Sequence, residues 1–150
     1  MMVVLSCKTD KTNNTSIEVN EFVENLSSAD TTAILDLSNG CMDLLKNGEI
    51  ENALAMLYVY DDSTRQVSPL TEDLKNNYRN KFSRFPVREY TMSYFSFNNE
   101  GLNDVKYTVN FGNEIVGNLT TSYMFNPVKV DDQWYLTVKN SMQDVDSLLR

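Results

Sequence analysis

The chain has 150 residues, enough for one domain with a sizeable core, and it is 41% hydrophobic and 23% charged. Its formal net charge of -8, with no run of basic residues to interrupt it, argues against nucleic-acid partners, whose binding rests on Lys and Arg neutralising phosphates. Histidine is absent, which excludes a Ser-His-Asp or Cys-His apparatus and a histidine-containing zinc site; Cys7 and Cys41 alone cannot build a tetrahedral thiolate site within one chain.

An apolar run opens the chain and stops at Ser6-Cys7. The stretch from Lys8 to about Asn20 is rich in Lys, Thr, Asn and Ser and has no apolar periodicity, which predicts a disordered tether. Val4-Leu5-Ser6-Cys7 resembles the end of a bacterial lipoprotein signal peptide, in which the cysteine is acylated and begins the mature chain. The resemblance implies a signal remnant over 1–7, a flexible tether over 8–29 and a lipid on Cys7. It also implies a place in the cell envelope of a bacterium, on the periplasmic or surface side. Only Met1 to Leu5 precede Ser6-Cys7, whereas a full signal carries a charged start and roughly 7–15 apolar residues, so the alternative is a free cysteine in a floppy tail. No stretch approaches the roughly 20 apolar residues of a membrane-spanning helix, so membrane contact is expected only through that anchor. Asn-x-Ser/Thr triplets begin at Asn13, Asn14, Asn25 and Asn118, as chance supplies in an Asn- and Thr-rich chain.

A single folded domain is expected over 30–150. Ser27-Ser28-Ala29-Asp30 supplies capping residues, and Ile34, Leu37, Cys41, Leu44 and Leu45 then recur at helical spacing. Cys41 on that apolar face reads as a small buried hydrophobe, with no cation or histidine to lower its pKa. Asn47-Gly48 predicts a left-handed stop. A second helix is expected to bury Ile50, Ala53, Leu54, Leu57 and Tyr58. Asp61 to Pro69 is polar and could hold a loop or one short strand. A third helix starts near Thr71, whose hydroxyl can cap it, and places Leu74, Tyr78 and Phe82 on one stripe; Pro86 ends it.

From Val87 the period becomes two. "VREYTMSYFSF" and "LNDVKYTVNF" flank "NNEG", a hairpin signal. Pairing Phe97 with Leu102 sets Tyr94 opposite Val105, Met92 opposite Tyr107 and Tyr90 opposite Val109, which gathers one aromatic face. Glu89, Thr91, Ser93, Asp104, Lys106, Thr108 and Asn110 fall on the other, with Phe95, Phe97 and Tyr135 as outer apolar residues that hint at a partner surface. "NLTTSYMFNPVKV" and "WYLTVKN" predict a second hairpin around a three-residue loop, Asp131-Asp132-Gln133, facing Val130 with Trp134 and Val128 with Leu136. Pro127 marks a bulge or an edge. "SMQDVDSLLR" reads as a tail or a short helix.

Helices followed by long antiparallel strands argue an α+β domain. The order resembles the nuclear transport factor two-like, or cystatin-like, fold over about Asp30 to Asn140. "CMDLLKNGEIENALAML" looks like its first helix pair and "VKVDDQWYLTVKN" like its final hairpin. The resemblance implies N-terminal helices packed on a curved antiparallel sheet that forms a cone with an open mouth. Enzymes of that family set a carboxylate base and a phenol in the cone. In this chain the cone face offers Tyr90, Met92, Tyr94, Tyr107, Tyr123 and Trp134 as ligand-contacting candidates, with Val109 and Phe111 beside them. Glu89 and Asp104 fall on the opposite face, and Asp61-Asp62 and Asp131-Asp132 read as solvated turn residues. No catalytic residue, metal or cofactor is therefore assigned. The aromatic face can be plain core or a ligand cavity. Two functions remain open: a non-catalytic, lipid-anchored, extracytoplasmic module binding a small molecule or an envelope protein, and a small pocket enzyme of the isomerase, dehydratase or cyclase type. A homodimer through the sheet is the assembly that the fold resemblance suggests.

Overall fold

The computed structural model describes residues 26–97 and 101–139. The expectations on Cys7, on the tether up to residue 25, on the tip of the first long hairpin and on the C-terminal tail lie outside the described residues; the end of the expected tether differs, because Ser27 caps a helix that already includes Ser28 and Ala29.

Helix α1 covers Ser28–Lys46. Ser27 caps it in a reciprocal box: its hydroxyl accepts from the Asp30 amide, and the Asp30 carboxylate accepts from the Ser27 amide. Ile34, Cys41, Met42 and Leu45 form its buried stripe, with Leu37 and Leu44 packed beside them. Gly48 takes φ +80 after the helix, as the Asn-Gly pair predicts. Helix α2 is shorter than expected, Ile50–Ala55. Leu57 and Tyr58 do not extend it; they begin strand β1, Leu57–Asp61. Leu57-Tyr58-Val59-Tyr60 is an apolar run short enough to fit either period, and here its β-branched and aromatic residues favour the strand. The polar stretch after it turns back into β2, Gln66–Pro69, which pairs with β1 antiparallel. Helix α3 runs Glu72–Arg84, capped by the Thr71 hydroxyl, with Tyr78 and Phe82 buried and Leu74 half-buried.

The remaining strands are β3 (Glu89–Phe97), β4 (Asn103–Asn110), β5 (Thr120–Val130) and β6 (Gln133–Val138). All six form one curved sheet in the order β2-β1-β6-β5-β4-β3. The α+β expectation stands, with helices packed on a curved sheet, although β1 and β2 come between α2 and α3 in the chain. The sheet has two strands more than the long hairpins supply, and it is mixed rather than wholly antiparallel, because β1 lies parallel to β6.

Register departs from expectation in both long hairpins. Tyr90 pairs with Val109 and Met92 with Tyr107, as expected, but the register then shifts and Tyr94 pairs with Lys106. Ser93 is the extra residue of a β-bulge, and one extra residue reverses the facing of every side chain beyond it. Tyr94 therefore leaves the inner face, and Phe95, opposite Val105, joins it together with Phe97. In the second hairpin the loop has two residues and not three. Asp131 and Asp132 take φ 52 and 65, and Val130 pairs with Gln133, Lys129 with Trp134 and Val128 with Tyr135. Two residues of positive φ make a primed turn, whose twist matches that of the strands.

The core lies between the inner face and the helices. Val105, Tyr107, Val109, Tyr123, Phe125 and Leu136 from the sheet are all at most 2% exposed.

Candidate functional site

The residues expected to line a cone meet the helices along two short polar rows. Asn39, Asp43 and Lys46 lie at i, i+4 and i+7 of α1, on one stripe that faces the start of β3. The Tyr107 hydroxyl donates to Asn39 Oδ1 at 2.6 Å, and the Tyr90 hydroxyl donates to Asp43 Oδ1 at 2.5 Å. Lys46 Nζ pairs with Glu89 Oε1 at 3.3 Å just outside. The two phenol rings meet edge to face, with centroids 5.4 Å apart. Asp43 and Glu89 are exposed, Tyr90 is half-buried and Tyr107 is fully buried, so the row runs from rim to core. Asp43 could not be singled out in the sequence, where an exposed helical carboxylate has no distinguishing neighbour.

Burial, with Asp43 as the second cause, pushes the Tyr90 phenol up to about 12. Burial likewise raises Tyr107 and Tyr123. All three are neutral at neutral pH, and each already donates a hydrogen bond to a protein acceptor. Tyr123 donates to the Phe85 carbonyl at the C-terminal end of α3. Its ring lies against Phe82, and the Lys81 ammonium lies 5.1 Å from its centroid. Phenols raised in this way stay protonated at pH 7 and act as hydrogen-bond donors rather than as bases.

The second row sits at the other end of α1. Asp30 receives Trp134 Nε1 at 2.9 Å, Lys129 Nζ at 3.3 Å, and the Ser27 amide at 3.0 Å. These donors, the indole foremost, hold the Asp30 carboxyl down at about 2. Trp134 is thus tied into a structural lock. The sequence identified Asp30 as a cap and gave no sign of its long-range partners.

Met92 is half-buried against the core. Tyr94 is 45% exposed on the outer face, with Lys106 Nζ 5.7 Å from its ring centroid. The structure thus brings Tyr90, Met92, Tyr107, Tyr123 and Trp134 to the inner side and sends Tyr94 to the other. Cys41 is fully buried, and burial raises its thiol to about 12, which leaves it unreactive. Among the described residues, no three Asp, Glu or Cys side chains gather to hold a metal ion, no buried side-chain polar atom lacks a hydrogen-bond partner, and no helix is long and apolar enough to cross a membrane.

No protein-family model matches the sequence, and no curated protein matches it. Three crystal structures resemble it in fold. A NTF-2 like protein of unknown function from Shewanella oneidensis is 12% identical, with a TM-score of 0.45 over 71% of this chain and 93% of its own. A candidate NTF2-like transpeptidase from Campylobacter jejuni is 16% identical, with a TM-score of 0.39 over 69% of this chain and 96% of its own. A candidate calcium/calmodulin dependent protein kinase II association domain from Xanthomonas campestris is 11% identical, with a TM-score of 0.42 over 73% of this chain and 87% of its own. What these three share with the chain is a likeness of fold.

Proposed function

We propose that this protein is a non-catalytic interaction module that works through its surface, held to the outside of a bacterial membrane by a lipid on Cys7. One observation carries the reading: the part of the inner face that meets the helices, with Val105, Tyr107, Val109, Tyr123, Phe125 and Leu136, is buried by the protein's own side chains, and the hydroxyls of Tyr90, Tyr107 and Tyr123 are all taken by protein acceptors. A ligand entering there would have to break those bonds, and a buried donor left unmatched costs about 1–3 kcal/mol. Large apolar side chains are instead exposed at Tyr94, Phe95, Leu102, Ile115, Val116 and Leu119, where a partner could cover them.

The test is photocross-linking in cells, with benzoylphenylalanine placed at Phe95 or at Ile115 in the chain expressed from its native locus. Protein adducts from both positions are expected. A surface that yields no adduct, while small apolar probes raise the melting temperature and Tyr107→Phe abolishes that rise, would refute the reading. The anchor is tested by detergent partitioning: a Cys7→Ser variant should leave the membrane fraction, and one that fractionates like wild type removes the anchor.

The Asp43–Tyr90 pair favours a second reading, a small pocket enzyme of the isomerase, dehydratase or cyclase type, because a carboxylate does reach the tyrosines. Turnover of a candidate substrate that Asp43→Asn abolishes, with stability unchanged, would establish it over the first.

A further inference from the structure

The large exposed apolar side chains of the described residues are not scattered. Tyr94, Phe95 and Leu102 lie where the β3–β4 hairpin approaches its tip, and Ile115, Val116 and Leu119 lie in the connection that leaves the opposite end of β4. The two groups are separated by the eight residues of β4, about 27 Å at 3.4 Å per residue.

The 111–119 connection is a braced finger. Asn113 Oδ1 accepts the amides of Ile115 and Val116, and the Gly117 amide returns to the Asn113 carbonyl. The Phe111 amide reaches the Leu119 carbonyl, and Asn110 and Asn118 are joined side chain to side chain. Gly112 closes the base: a Cβ there would lie 1.8 Å from the Gly117 carbonyl oxygen. The brace holds Ile115, 92% exposed, and Val116, 57% exposed, at the tip. At the hairpin end, Phe95 and Phe97 stack at 5.1 Å, and Tyr94 turns to the other face through the bulge.

Charge then selects which surface meets which. Glu114 adjoins the finger tip and Lys106 adjoins Tyr94, and among the described residues neither makes an ion pair. Finger against finger would oppose Glu114 with Glu114, and hairpin end against hairpin end would oppose Lys106 with Lys106. Finger against hairpin end sets opposite charges together around two apolar surfaces.

We propose that copies of this chain associate head to tail, with the Ile115-Val116 finger of one seated on the Tyr94 and Leu102 end of the next, on the sheet face that carries Lys106. The proposal rests on the surface-interaction reading above and names a second copy as the partner. Two different patches meet, so the contact is heterologous; it builds open chains, or rings if the rotation closes. Such small patches give weak association, of the order of micromolar or above.

Sedimentation velocity from about 10 μM to about 1 mM, a range that covers weak association, tests it. The wild-type sedimentation coefficient should rise with concentration beyond a dimer. Val116→Asp removes the finger and Leu102→Asp the hairpin end; both positions are exposed, and each variant should melt as wild type does and remain monomeric alone. Mixed together, they should form a one-to-one dimer and nothing larger, because each supplies one intact patch. Wild type that stays monomeric throughout, or a mixture that stays monomeric, overturns the proposal, and so does a variant that still self-associates. These outcomes are separable from the cellular test. Adducts with a different protein and a monomeric wild type sink the head-to-tail contact and keep the surface reading; no adducts, together with the Tyr107-dependent stabilisation by apolar probes, sink that reading.

Discussion

Replacing Asp30 with alanine should cost about 2–4 kcal/mol, judged from the bonds it removes. The carboxylate accepts the Trp134 indole, the Lys129 ammonium and the Ser27 amide, and its side chain is only 16% exposed. Loss of the indole's acceptor leaves a donor on a side chain that is 8% exposed overall, worth about 1–3 kcal/mol. Loss of half the capping box adds about 1 kcal/mol. Proton linkage expresses the same bonds through the carboxyl: held at about 2 instead of 3.8, it corresponds to roughly 2 kcal/mol at about 1.4 kcal/mol per pH unit, somewhat less after solvent screening. The folded value is the lower one, so this stability is fully present above about pH 4 and is lost as pH falls toward 2. Urea unfolding followed by tryptophan fluorescence is the assay, since Trp134 is the single tryptophan and sits on the bond in question. The melting temperature should fall by on the order of 10 °C. Asp30→Asn keeps an acceptor for the indole and should lose about half as much. It should also lack the wild type's decline between pH 4 and 2 that Asp30 contributes. An alanine variant within about 0.5 kcal/mol of wild type, the usual range for inconsequential surface changes, with unchanged emission, would refute the reasoning.

Three further outcomes are expected. Tyr107→Phe should lose about 1 kcal/mol, the net worth of its bond to Asn39, as read in urea. Ultraviolet titration of the eight tyrosines should show Tyr90, Tyr107 and Tyr123 ionising late; their folded pKa values lie above the unfolded value near 10, so stability is present below pH 10 and falls as pH rises above it, and Tyr90→Phe should remove the component that ends at about 12. Asp132→Gly should raise stability by about 0.5–1 kcal/mol, because Asp132 holds φ 65 in a turn where glycine pays no steric penalty; a loss would mean the Asp132 side chain has a role in the native turn.

Local signals were the most legible part of the chain. Ser27 and Thr71 cap helices because short hydroxyl side chains reach amides three positions on, and Gly48 stops α1 because it can take a positive φ. The near half of the β3–β4 register followed from alternation alone. What alternation could not reveal is Ser93: a bulge residue is chemically ordinary, and its effect appears only through the partner strand. Tyr94 was misplaced and Phe95 missed for that one reason. Asp131 and Asp132 belong to a residue type that tolerates positive φ, but glycine's absence hid the two-residue turn. Strand β1 was read as helix because Leu57 continues a helical stripe, and its parallel partner β6 is remote in sequence. The rows at Asp43 and Asp30 were invisible for the same reason: each joins α1 to strands far along the chain, and no spacing rule links them.

The position of β6 has a consequence for how the chain is made. Among the described residues it is the last strand synthesised, yet it lies inside the sheet, between β1 and β5. Until Gln133–Val138 has left the ribosome, β1 and β5 each present an open edge to whatever is nearby, and Asp30 still lacks Trp134. Folding is therefore expected to be completed only after synthesis of β6, on the milliseconds-to-seconds scale of folds that rely on distant strand pairing. A ribosome-bound chain stalled before β6 should remain sensitive to protease, and one with β6 fully exposed outside the exit tunnel should not.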